Sequence, residues 1–90
     1  MATVDLSGSV KHFDGIIRYI DVTSRELGLL IDNRLVAFDV PMDCRIYVND
    51  ELVKLRLLQP LDIARLECLQ SSSGLAALSI RVGGTGAGRN

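Results

Sequence analysis

Four stretches of this chain place apolar residues at every second position, and that period suits strands rather than helices. Val36, Phe38 and Val40 alternate with Leu35, Ala37 and Asp39, and Cys44, Ile46 and Val48 alternate with Arg45 and Tyr47. Farther along, Ala64, Leu66 and Cys68 alternate with Arg65 and Glu67, and Ala76, Leu78, Ile80 and Val82 with Ala77, Ser79 and Arg81. Successive side chains of a strand point to opposite faces, so each set offers one apolar face to a core.

Turn chemistry separates these runs. Asp14-Gly15 reads as a two-residue hairpin turn, because both residues tolerate positive φ, and Asp32-Asn33 between Ile31 and Arg34 has the same chemistry. Asn49-Asp50 closes the strand that begins at Cys44, and Ser71-Ser72-Ser73-Gly74 links the last two strands. Pro41 ends the run from Leu35, since proline cannot donate to a ladder. The spacing predicts strands over about 4–13, 16–22, 27–32, 35–40, 44–48, 62–69 and 75–82. In the second of these, Arg18 shares a face with Ile16, Ile20 and Val22, while Ile17 and Tyr19 take the other, which suggests a bulge or a strand covered on both sides. Between Glu51 and Gln59, Val53, Leu55 and Leu57 alternate as in a strand, whereas Leu55 and Leu58 suit a helical turn stopped by Pro60.

The predicted class is therefore all-β: a small antiparallel barrel or sandwich of about six or seven short strands, OB- or SH3-like, with at most one short helical turn near residues 52–58. Ninety residues support one core, so residues 1–82 are expected to form a single barrel domain. Residues 83–90 hold four glycines and little to bury, and are expected to be a disordered tail.

Composition narrows the function. Ten Lys and Arg against eleven Asp and Glu give a net charge of −1, with the signs interspersed, whereas nucleic-acid binders usually carry a basic excess. Aromatic content is 4% with no Trp, which limits any platform of stacking rings. His12 is the sole histidine, Cys44 and Cys68 belong to no CxxC pair, and the aspartates fall mostly at turns, where they cap backbone amides. Nothing here assembles a catalytic pair, a metal site or a cofactor cradle, so the chain is expected to be neither an enzyme nor a cofactor protein. The N-terminus lacks the pattern of a secretory signal and no run is long enough to span a membrane, so a cytoplasmic location is expected.

The stretch Gly8-Ser9-Val10-Lys11-His12-Phe13-Asp14 resembles the opening strand of cold-shock domains, Gly-Thr-Val-Lys-Trp-Phe-Asn, with His12 at the tryptophan position. That resemblance implies an OB-type barrel that binds single-stranded RNA or DNA, with Lys11, His12 and Phe13 starting the binding strand. Phe13-Asp14-Gly15-Ile16-Ile17 with Asp21 is also similar to the first Sm motif, with Arg25 where an asparagine is expected. Across residues 8–82, the order of strands with Phe38-Asp39-Val40-Pro41-Met42-Asp43, Arg45-Ile46-Tyr47-Val48-Asn49-Asp50 and Gln59-Pro60-Leu61-Asp62 resembles small bacterial β-barrel domains of unknown function. In those domains a Leu-x-Pro-Gly-Asp turn precedes a strand, and here Leu61 stands at the turn's glycine.

The leading functional expectation is a non-catalytic binding or protein-interaction module, with a protein partner or self-association through outward apolar residues such as Leu30, Leu35, Leu58 and Leu75. The alternative is single-stranded nucleic-acid binding, carried by Lys11, His12, Phe13, Tyr19, Arg45, Tyr47, Lys54 and Arg56.

Overall fold

The computed structural model describes residues 10–72 and 74–83. Among these residues seven strands follow one another as β1 (Val10–Asp21), β2 (Glu26–Ile31), β3 (Arg34–Asp39), β4 (Arg45–Val48), β5 (Glu51–Val53), β6 (Ile63–Ser71) and β7 (Gly74–Val82), with one 3₁₀ turn, Leu55–Leu57, between β5 and β6. They form one sheet in the order β3-β2-β1-β6-β7-β4-β5. β3 returns to β7 at a single pair, Asp39↔Ala76, so the strands from β3 to β7 curl into a barrel that is not closed along its length. The all-β expectation holds, and the ambiguous segment resolves as both readings in series, a three-residue strand and then a 3₁₀ turn. The sheet is mixed, because β4 and β3 both lie parallel to β7. Among the described residues no helix is long and apolar enough to cross a membrane. Gly8 and Ser9 of the cold-shock-like stretch, and all of the Gly-rich tail after Gly83, lie outside the described residues.

Asp14-Gly15 is not a turn. It runs through the middle of β1, where Asp14 pairs with Arg65 and Gly15 with Ala64. The two strands expected on either side are one 12-residue strand. Its first half pairs with β6 and its second half with β2, both partners meeting at Ile16. The glycine serves close approach instead of turn formation: a Cβ there would lie 2.6 Å from the Leu30 carbonyl oxygen and 2.8 Å from Ile31 Cγ1. The expected bulge is present, with the β1–β2 register shifting between Ile17 and Tyr19 around Arg18.

The other turns follow their sequence signals. Asp32 and Asn33 take φ of 50° and 68°, and Asn49 and Asp50 take 53° and 70°, the double left-handed geometry that matches the twist of two-residue hairpins. Between β1 and β2, Asp21 accepts a hydrogen bond from the Ser24 amide at 3.1 Å, and that bond holds its carboxyl below the usual range. Arg25 follows with φ 57°, donating from Nε to the Val40 carbonyl at 2.7 Å and from Nη2 to Pro41 at 3.3 Å. Leu61 occupies the glycine position of its turn at φ 81°, a left-handed backbone that leucine adopts only when its surroundings impose it. Its amide donates to the Ile17 carbonyl at 2.7 Å, and the Ile17 amide donates to Asp62 at 2.9 Å, clasping the turn to the centre of β1.

The core takes Ile17 from β1, Leu27 and Leu29 from β2, Phe38 from β3 and Ile46 from β4, with Leu66 and Cys68 of β6 and Ile80 of β7 closing it. Leu55 and Leu58 of the 3₁₀ segment also turn inward, so Leu58 is not the outward residue expected of it. A second bulge, opposite Glu67 and Cys68, shifts the register of β7. In consequence Ala77 is buried and Leu78 exposed, the reverse of what unbroken alternation predicts.

Candidate functional site

Residues paired across neighbouring strands share a face, so the ladders align the outer surface in rows. One row is aliphatic: Leu35 on β3 faces Leu30 on β2, Leu30 faces Ile16 on β1, and Ile16 faces Ile63 on β6. Leu35 is 59% exposed, Ile16 38% and Ile63 68%, with Leu30 half-buried. Leu57 and Leu61, both exposed, border a hollow of about 570 Å³ that Ile63 also lines, so the apolar strip continues past β6.

Two polar rows lie beside it. Asp14, Arg65, Arg81, Tyr47 and Leu52 face one another from β1 through β6, β7, β4 and β5. The Asp14 carboxylate stands 4.0 Å from Arg65 Nε, and the Arg81 guanidinium lies 4.3 Å from the centre of the Tyr47 ring. In the next row His12, Glu67, Ser79 and Arg45 are in register, with His12 Nε2 3.2 Å from a Glu67 carboxylate oxygen. A hollow of about 330 Å³ opens between these rows.

Of the residues expected to bind single strands, only His12, Arg45 and Tyr47 come together on this face. Phe13 turns inward and packs edge-on against Phe38, with ring centroids 5.4 Å apart. Tyr19 lies over Gly28, where a Cβ would overlap its ring, and donates its hydroxyl to Glu26. That hydrogen bond to a carboxylate raises the Tyr19 pKa above its usual value. Lys11 is exposed on β1, and Lys54 and Arg56 sit at the 3₁₀ turn. Both phenylalanines are therefore committed to the core, one tyrosine to a glycine and the other to an arginine. This arrangement offers no ladder of free rings, and the nucleic-acid reading finds no support in it. In the sequence Arg65 and Arg81 are each only the polar half of an alternation, and nothing there marks them as neighbours. Their pairing across β6 and β7 is a matter of register.

The thiols are poor ligands or nucleophiles as they stand. Burial pushes the Cys44 pKa up to about 11 and that of the fully buried Cys68 to about 12, so both hold their protons at neutral pH. Among the described residues no three His, Cys, Asp or Glu side chains converge as a cation site.

No family model matches the chain, and no curated protein matches it in sequence. Its backbone is similar to that of silver-bound CusF, at a TM-score of 0.67 and 13% identity over 82% of this chain and 97% of that one. A copper(II)-bound CusF variant from Escherichia coli gives 0.67 and 14%, over 83% and 92%. The fimbrial biogenesis protein PilY2 from Pseudomonas aeruginosa PAO1 gives 0.64 and 15%, over 91% of this chain and 87% of that one. The likeness is one of fold. At such identities the silver and copper of the CusF structures do not transfer with the backbone.

Proposed function

We propose that this chain is a non-catalytic protein-interaction module that receives a protein partner on the outer face of its sheet. The observation that carries this reading is the row Leu35–Leu30–Ile16–Ile63, aliphatic across four adjoining strands on the side turned away from the core. Single exposed leucines are ordinary on any surface, but a row in register through successive strands is a contiguous patch, and such patches mark interaction sites. The structural neighbours, metal-bound CusF and the fimbrial biogenesis protein PilY2, fit a small fold used for binding.

The experiment compares the wild-type chain with Ile63→Ser and Leu35→Ser as cross-linking baits in lysate, with oligomeric state followed by light scattering over a concentration series. A discrete protein captured by the wild type and lost with either substitution is the expected result. A concentration-dependent dimer abolished by the same substitutions identifies a second copy as the occupant. Capture that ignores both substitutions, with a monomer at all concentrations, refutes the assignment of this face.

A further inference from the structure

The pairing of β6 with β7 sets Arg65 directly opposite Arg81 on the outer face. Like charges in directly opposed positions repel and destabilise the sheet unless something of opposite sign lies between them. The described residues neutralise this pair only loosely. Asp14 reaches Arg65 at 4.0 Å, with the two side chains 73% and 70% exposed. Arg81 rests on the Tyr47 ring, and among the described residues no carboxylate pairs with it. Arg45, which faces Ser79 from β4, adds a third guanidinium to the same surface. Arg45, Arg65 and Arg81 stand against Asp14 and Glu67, three positive charges to two negative.

The hollow of about 330 Å³ is lined by His12, Asp14, Arg65, Glu67, Ser79 and Arg81. It abuts the aliphatic row, because Ile63 lies two residues from Arg65 on β6 and Ile16 two residues from Asp14 on β1, on the same face. Two residues along a strand span about 7 Å.

We propose that this face recognises an acidic, aliphatic segment of a partner protein, its carboxylate seated between Arg65 and Arg81 and a neighbouring aliphatic side chain lying on Ile16 and Ile63. The proposal rests on the protein-interaction reading and specifies its ligand. A guanidinium presents a planar fork of N–H donors that matches a carboxylate, and the flanking apolar row lowers the local dielectric that would otherwise screen the pair. Stacking on Tyr47 fixes Arg81 before binding, so less side-chain freedom is lost when a ligand arrives. Asp14 and Glu67 line the same hollow and oppose a dense polyanion, which favours one carboxylate over a phosphate backbone. The 7 Å spacing requires an acidic and an aliphatic residue at i and i+2 of an extended segment, or i and i+4 of a helix.

A displayed random peptide library selected on the full chain tests this, with R65Q/R81Q and Ile63→Ser as counter-targets. Thermal melts confirm that the variants fold, and the loss of two opposed charges is expected to leave the melting temperature unchanged or raise it. The expected peptides carry Asp or Glu with a Leu, Ile or Val at the stated spacing, bind R65Q/R81Q more than tenfold more weakly, and bind Ile63→Ser more weakly as well. Selected peptides that are aliphatic without acidic residues and bind R65Q/R81Q undiminished overturn the proposal while leaving the protein-interaction reading in place. Failure to select any sequence overturns both. Sodium acetate, inorganic phosphate and oligo-dT are titrated in parallel against backbone amide shifts of the arginine strands. Phosphate or oligo-dT displacing a selected peptide more effectively than acetate also overturns the proposal.

Discussion

Gly28→Ala is expected to destabilise the protein, and the same substitution is expected to stabilise it once Tyr19 has been removed. Gly28 is buried in β2, directly opposite Tyr19 on the outer face, and the tyrosine ring lies where a Cβ would project. An aromatic ring laid over a strand glycine shields the bare backbone, a known device for holding glycine in a sheet. The nearest atoms that an alanine methyl would meet form one edge of the ring, all of them side chain, so the ring swings aside while the backbone stays in place. The cost is then the lost cover together with the hydrogen bond from the Tyr19 hydroxyl to the Glu26 carboxylate. A hydrogen bond to a charged group contributes roughly 1.5–3 kcal/mol when buried, and partial exposure here reduces that to about 1 kcal/mol. With the lost ring packing, Gly28→Ala costs about 2 kcal/mol. In a Tyr19→Ala background neither loss remains to be incurred, and alanine gains about 0.5–1 kcal/mol over glycine through the unfolded state. Urea titrations of the four species at 25 °C measure all sides of this cycle, with equal m-values confirming that the same transition is compared. A Gly28→Ala cost that is equal in both backgrounds, or absent from the wild-type background, refutes the account.

Phe38→Ala empties the centre of the core and removes the edge-on contact with Phe13, at about 3–5 kcal/mol. A domain of this size has little more to lose, so circular dichroism at 37 °C is expected to show a largely unfolded chain. Asn33 holds φ 68° in the β2–β3 turn, so Asn33→Val is expected to cost about 1–2 kcal/mol while Asn33→Gly is neutral or slightly stabilising, as paired thermal melts report. Cys44 and Cys68, raised to about 11 and about 12, keep their protons in the fold, whereas the unfolded chain loses them near pH 8.5–9. Between those values the native state binds more protons, so stability falls as pH rises above about 9. Urea midpoints from pH 7.5 to 10.5 are expected to drop less steeply in a C44A/C68A variant, and Cys68 is expected to react with a thiol reagent only on unfolding.

The limits of reading the chain appear at Asp14-Gly15. Its dipeptide chemistry signals a hairpin, and the same chemistry at Asp32-Asn33 and Asn49-Asp50 does produce one. What separates the cases is not local. Gly15 is required because β2 crosses within 2.6 Å of where its Cβ would lie, a demand set by residues fifteen positions away. Leu61 is the converse: it takes the left-handed position of the Gln59–Asp62 turn, where glycine is expected, and hydrogen bonds of Leu61 and Asp62 with Ile17 hold that turn on β1. The apolar alternation of β3, β4 and β6 reports its buried face faithfully, and it fails in β7 only beyond a bulge that leaves no mark in composition.

The candidate face divides the same way. Alternation already placed Leu30, Leu35, Arg45 and Tyr47 on the outside, since a strand's period belongs to the chain itself. Only the tertiary structure made a row of Leu35, Leu30, Ile16 and Ile63, and only it set Arg65 against Arg81. Period two tells each residue which face it takes, but a neighbour on the next strand is chosen by register and strand order. Those depend on contacts across the whole barrel, and no window of sequence contains them.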